Sequence, residues 1–164
     1  MKLFAKWRKG AQDKDPFEAA AAAATAALEK AIPEGANGTI LVVDDNPVVL
    51  KAFDLKLKSI GFKVITATDG SSAVSTARQE KPNIIVLDIS FPPDVGSSGL
   101  QWDGFSIMEW MRRFKEVADI PVIIITSSDP AKYKERALAA GAVGFFQKPI
   151  DHEEFLATIQ KVLR

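Results

Sequence analysis

Five side chains in this sequence could handle a phosphoryl group together, and each stands at or just past the end of a short apolar run. Asp44-Asp45 follows Ile40-Leu41-Val42-Val43, and Asp88 follows Ile84-Ile85-Val86-Leu87. Thr126 follows Val122 to Ile125, and Lys148-Pro149 comes just after Val143 to Phe146. Carboxylates gathered at one place repel each other, so such a set calls for a cation. A hard divalent ion, Mg2+ (or Mn2+), favours oxygen ligands and commonly combines one or two carboxylates with phosphate oxygens. Lys148 adds a mobile positive charge and Thr126 a hydroxyl donor, which together would stabilise charge on the oxygens of a phosphoryl group in transfer. An Asp carboxylate can itself be the nucleophile, giving an aspartyl phosphate. Asp88, alone at the tip of an apolar strand, is the natural candidate. Taken singly, each feature has a plain structural reading: Asp-Asp as a turn or helix cap, Lys-Pro as a loop, Thr as a partner for backbone. The coincidence at four strand ends is what favours chemistry.

Such residues need a scaffold that aligns strand ends. The run Ile40–Val43 has no polar alternation, as expected for a strand buried on both faces. Val64-Ile65, Ile84 to Leu87, Val122 to Ile125 and Val143 to Phe146 repeat the pattern, with helix-length segments at about 47–60, 71–80, 104–115, 130–140 and 152–163 between and after them. Leu50, Phe53, Leu57 and Ile60 give the first helix an apolar face, and Asp151-His152-Glu153-Glu154 has capping-box spacing at the start of the last. Five strands alternating with five helices imply a parallel sheet with right-handed crossovers. In open sheets of this kind, ligands bind at the carboxyl ends of the strands.

Composition narrows the function classes. The 164 residues suit one compact domain with an extension, and no cysteine is present to form disulfides or thiolate metal sites. Lys plus Arg equals Asp plus Glu at 21 each, so net charge draws the chain toward neither nucleic acid nor membrane. His152 is the single histidine, which argues against Ser-His-Asp chemistry, multi-His metal sites and a histidine phosphocarrier. No apolar run approaches the roughly 20 residues a membrane helix needs, and the basic Met1–Gly10 stretch lacks the apolar core of a signal peptide. A cytoplasmic location is the expectation.

These residues resemble the response regulator receiver family. The resemblance rests on Val42-Val43-Asp44-Asp45-Asn46, on Ile84 to Asp88 with Pro92, and on Asp103-Gly104-Phe105. Pro121 to Ser127, Gly141 to Phe145 and Lys148-Pro149 complete it, so the likeness covers about residues 39–164. It implies a flavodoxin-like (βα)5 doubly wound sheet with strand order 2-1-3-4-5. It implies that Asp88 accepts a phosphoryl group from a phosphohistidine on a sensor histidine kinase or histidine phosphotransfer protein. It further implies that Asp45, Asp88 and the Ser90 carbonyl ligate Mg2+, with Asp44 acting mainly through water. Lys148 would pair with Asp88 at rest and with phosphate afterwards. Thr126 would move to bind phosphate, Phe145 would turn inward with it, and the Lys148-Pro149 peptide would be cis. Ser90 and Ser128 flank the site and are small. The chain would not be an enzyme beyond Mg2+-dependent self-phosphorylation and autodephosphorylation.

The sequence departs from the family between Pro92 and Trp102, where about eight residues are inserted before Asp103-Gly104. This is read equally as a functional loop, with Trp102 over the pocket or docking a partner, and as a tolerated excursion. Residues 1–36 are read as a basic lead, an Ala-rich helix starting near Asp15-Pro16 and a linker, and residues 37–164 as the receiver. The extension is read as a tail or locally packed helix, as a pairing helix, or as a membrane-surface contact through Leu3, Phe4 and Trp7. No output module is expected after Arg164, and no direct DNA binding. A downstream protein target would read the face of the fourth helix, fifth strand and fifth helix, and a homodimer would use that face or the N-terminal helix. Other classes fit less well. A pseudo-receiver would lack one of the acidic, acceptor or Lys positions, and a haloacid-dehalogenase-like phosphatase would carry an Asp where Ser90 stands. A nucleotide or flavin binder would have a Gly-rich loop where Asp44-Asp45-Asn46-Pro47 stands.

Overall fold

The computed structural model describes residues 37–90, 94–95 and 101–164, with only the backbone described at 94–95 and 101–102. The expected N-terminal lead, helix and linker lie outside the described residues. In chain order the elements are β1 (Thr39–Val43), α1 (Pro47–Lys58), β2 (Lys63–Ala67), α2 (Gly70–Glu80), β3 (Ile84–Asp88), β4 (Asp94–Val95), β5 (Gln101–Trp102), α3 (Gly104–Met111), β6 (Val122–Thr126), α4 (Pro130–Ala139), β7 (Gly144–Gln147) and α5 (His152–Val162). The main sheet is parallel in all its pairings, in the order β2-β1-β3-β6-β7, which is the expected doubly wound, flavodoxin-like order. β4 and β5 form a separate two-residue antiparallel ladder inside the inserted segment.

Strand side chains alternate between faces, and here both faces are apolar. Ile40, Val42, Ile84, Val86, Ile123, Ile125 and Phe146 point to one side, against Leu50, Phe53 and Leu57 of α1 and Phe155 and Ile159 of α5. Leu41, Val43, Ile85, Leu87, Val122 and Ile124 point to the other, against α2 and α3. This double coverage explains why the central runs lack polar alternation. The edge strands depart from the expectation of full burial: β2 is exposed or half-buried except at Ala67, and β7 is buried only at Phe146. Each edge strand has a neighbour on one side only.

Among the described residues, every helix starts on an Asn or Asp whose side-chain oxygen accepts a first-turn N–H: Asn46, Asp69, Asp103, Asp129 and Asp151. The third helix ends at Met111, short of the expected 104–115. Beyond it the backbone tightens, with Arg113 N–H bonding to the Trp110 carbonyl and Phe114 N–H to the Met111 carbonyl. The tighter path leads to Val117, which is buried in the same core. Gly104, at the start of α3, is required by close approach: a Cβ there would meet the Ile89 Cα at 2.7 Å.

Phe155 ties α5 to the sheet. Its ring meets Phe53 at 5.5 Å and Phe146 at 5.4 Å, both edge-on. Phe155→Ala is expected to lower stability by about 3–5 kcal/mol in urea unfolding, through lost contact and the cavity left behind. A loss below about 1 kcal/mol would show that α5 is held by other contacts.

Candidate functional site

Strand register assembles the site. Val43 lies opposite Leu87, Asp88 opposite Ile125, and Thr126 opposite Gln147. The residues next in line on each strand, Asp44 after Val43 and Lys148 after Gln147, therefore emerge beside Asp88 and Thr126 at one edge of the sheet. Alternation then divides them. Asp44, Asp88 and Lys148 continue the parity of Val42, Val86 and Phe146, on the α1/α5 side. Thr126 and Phe145 take the parity of Ile124, on the other side.

Lys148 Nζ lies 2.6 Å from Asp44 Oδ2 and 2.9 Å from Asp88 Oδ2. Both carboxylates are essentially buried, while the lysine side chain keeps 19% of its surface. Their other oxygens accept backbone bonds: Asn46 N–H to Asp44 Oδ1 at 2.8 Å, and Ser90 N–H to Asp88 Oδ1 at 2.7 Å. Burial pushes the Asp44 carboxyl above its usual range, against the Lys148 and Asn46 hydrogen bonds, and the nearby Asp88 charge adds to the rise. Burial also pulls the Lys148 ammonium down, but bonds to the two carboxylates outweigh it and hold Lys148 above its usual value. Asp45 is exposed, yet oxygens of Asp44, Asp45 and Asp88 all lie within 4.8 Å of one another. Three carboxylates thus face one ammonium, and an all-oxygen set with excess negative charge fits a hard divalent cation such as Mg2+.

Thr126 is fully buried. Its hydroxyl is 2.6 Å from Ser90 Oγ and accepts from Ser128 N–H at 3.0 Å, while Ser127 N–H donates to Ser90 Oγ at 3.1 Å. Phe145 is half-buried against the core shared with Ile124 and Leu87. The Lys148-Pro149 peptide is cis, as the resemblance implies. The Trp102 side chain lies outside the described residues, and its backbone pairs with Asp94. The contacts bring together Asp44, Asp45, Asp88 and Lys148, with Ser90, Thr126 and Ser128 beside them, while Phe145 is placed by its packing on the core. Two contacts were not foreseen. One is the Asp44–Lys148 pair, shorter than the Asp88–Lys148 pair that was expected; alternation signalled it, because Asp44 shares the parity of Val42. The other is the Ser90–Thr126 hydroxyl bond, for which the sequence offered no signal. No described helix is long and apolar enough to cross a membrane.

A doubly wound parallel sheet with carboxylates and a lysine gathered at its carboxyl edge defines a flavodoxin-like α/β domain built around an acidic pocket. The chain belongs to the response regulator receiver domain family, which residues 40–160 match. It is 36% identical over 124 residues to protein PilH of Pseudomonas aeruginosa, covering 76% of this chain and 96% of PilH. It is 33% identical over 125 residues to the DNA-binding dual master transcriptional regulator RpaA of Synechocystis, covering 76% of this chain but 48% of RpaA. For the probable transcriptional regulatory protein TcrX of Mycobacterium tuberculosis, the identity is 31% over 131 residues, 80% of this chain and 52% of TcrX. The chain thus spans about half the length of these two regulators. Among solved structures, the chemotaxis response regulator CheY4 of Vibrio cholerae is similar with a TM-score of 0.64 and 28% identity, covering 76% of this chain and 97% of that one.

Removing the lysine should expose the cost of burying the two acids. Lys148→Met is expected to lose about 2–4 kcal/mol at neutral pH in metal-free buffer, read by urea unfolding. Without Lys148, burial and the Asp88 charge still raise the Asp44 pKa. Ionised Asp44 is then destabilising above that pKa, and the variant recovers stability as pH falls through it. A deficit that is constant from neutral to acid pH would contradict this electrostatic account.

Proposed function

We propose that this chain is the phosphoacceptor of a two-component or phosphorelay pathway, with Asp88 carrying the phosphoryl group. The observation that supports this best is the Asp44–Lys148–Asp88 bridge with Asp45 alongside. A buried aspartate of this kind has one oxygen ordered by Ser90 N–H and the other held by an ammonium that can change partners.

The donor is a phosphohistidine on a sensor histidine kinase or histidine phosphotransfer protein. Its N–P bond breaks as an O–P bond to Asp88 forms, and the imidazole leaves with the bonding pair. Asp45, Asp88 and the Ser90 carbonyl would hold Mg2+ (or Mn2+), with Asp44 acting mainly through water. When bound, the cation neutralises excess negative charge and takes up charge on the phosphoryl oxygens. Lys148 transfers its hydrogen bond from Asp88 to a phosphoryl oxygen, and stays near the edge because Asp44 still holds it. Thr126 turns its hydroxyl toward another phosphoryl oxygen, and Phe145 follows into the space beside it. That movement alters the face of α4, β7 and α5, which a downstream protein target reads. The chain acts as a switch in the cytoplasm, where such donors work, and its only chemistry is acceptance and loss of its own phosphoryl group. The receiver unit is residues 37–164, and residues 1–36 are an extension to it. Small Ser90 and Ser128 leave room for the water that ends the signal.

Acetyl phosphate or phosphoramidate with Mg2+ is expected to add one phosphoryl group, read by intact mass, and Asp88→Asn is expected to add none. Undiminished incorporation in that variant would move the acceptor elsewhere. Mg2+ affinity, read by calorimetry, is expected to fall at least about tenfold in Asp45→Asn, the equivalent of one charged ligand. Unchanged affinity would contradict its place among the ligands.

A further inference from the structure

The bond between the Ser90 and Thr126 hydroxyls has a direction that burial determines. Each oxygen already accepts one backbone N–H, from Ser127 and Ser128 respectively. One hydroxyl donates to the other across 2.6 Å. Thr126 has no exposed surface, so its proton must end on a protein acceptor, and Ser90 Oγ is the one it reaches. Ser90 is exposed, so its own proton can point to water. Thr126 therefore donates to Ser90.

We propose that the Ser90 side chain is a positioning residue: a latch that occupies the Thr126 hydroxyl proton in the resting state and must be released before Thr126 can bind the phosphoryl group. The proposal rests on the phosphoacceptor reading given above and adds to it a regulation of the same site. The Thr126 proton serves one acceptor at a time. A bond to a phosphoryl oxygen on Asp88 must then replace the bond to Ser90. Because the two states compete for one proton, the strength of the resting bond lowers the fraction of molecules ready for phosphate. Two features fit such a role. Ser90 sits two residues after Asp88 and donates its backbone N–H to the acceptor carboxylate, so the latch is built on the same turn as the acceptor. Ser127 N–H holds the Ser90 hydroxyl in place on the β6 side, so release of Thr126 need not disturb Ser90 itself. The backbone carbonyl at position 90 is retained whatever the side chain, so the latch can be removed without removing that oxygen.

The test uses the full chain and beryllofluoride with Mg2+, a mimic of the phosphoryl group, with affinity read by calorimetry. Ser90→Ala removes the resting acceptor and is expected to bind the mimic roughly tenfold more tightly than the unsubstituted chain. Ser90→Thr restores a hydroxyl and is expected to return affinity to the original value. In a Thr126→Ala background, Ser90→Ala is expected to change nothing, because the proton it acts on is absent. A purely structural effect of the substitution would persist in that background. Equal or weaker binding by Ser90→Ala, or the same gain with Thr126 absent, would overturn the latch while leaving the phosphoacceptor reading intact. Failure of the unsubstituted chain to bind the mimic at all would remove that reading, and the latch with it.

Discussion

The structure depends on one ammonium shared between two buried carboxylates. Lys148 reaches Asp44 across 104 residues of sequence and Asp88 across 60, so the contact exists only when three strands are in register. Two ionised acids this deeply buried are tolerable only with a counter-charge at hydrogen-bond distance. A one-residue slip of β1, β3 or β7 would turn its charged group to the other face and leave the remainder unpaired. The apolar runs stabilise the sheet, but they are similar enough in composition to accept neighbouring registers. The charge bridge favours one of them.

Alternation separates two tasks that share one edge. The acids and Lys148 lie on the α1/α5 side, where they set the charge of the pocket. Thr126 and Phe145 lie on the α2/α3 side, where Phe145 packs only half-buried. Asp44 and Asp88 each bond to the Lys148 ammonium and to a backbone N–H, while the Thr126 hydroxyl bonds to neutral groups, Ser90 Oγ and Ser128 N–H. Under the proposed function, the acceptor and the side chains that respond to it thus lie on opposite faces of one sheet edge.

Much of this was legible in the sequence because strands buried on both faces write themselves as unbroken apolar runs. Ile40–Val43, Ile84–Leu87 and Val122–Ile125 could be placed, and their polar terminal residues marked the site, while their order in the sheet came only from the family resemblance. What the sequence concealed depends on geometry between elements. The early end of α3 at Met111 follows from where Val117 finds the core, not from helix propensity, since Arg112 to Glu116 would sustain a helix. The half-exposure of β2 and β7 comes from their place in the strand order, which composition does not state. The Ser90–Thr126 bond joins residues 36 apart through side-chain rotamers, which no spacing rule addresses.

The inserted segment shows how such a site accommodates change. Its two ends meet in the antiparallel ladder of Asp94–Val95 with Gln101–Trp102, so the chain leaves and re-enters the domain at nearly the same place. Closing a loop whose ends are already paired adds little entropy cost as it lengthens. Position is then recovered at once. Asp103 caps α3 through Ser106 N–H at 2.7 Å, and Gly104 lets that helix pack directly on Ile89, the residue after Asp88. The helix is therefore placed by its contact with the acceptor turn and not by the length of chain that precedes it. Residues added after Ser90 and before Asp103 raise the closure cost only slowly provided that contact is kept, whereas a single methyl group at Gly104 would push against the backbone of Ile89, the residue after Asp88.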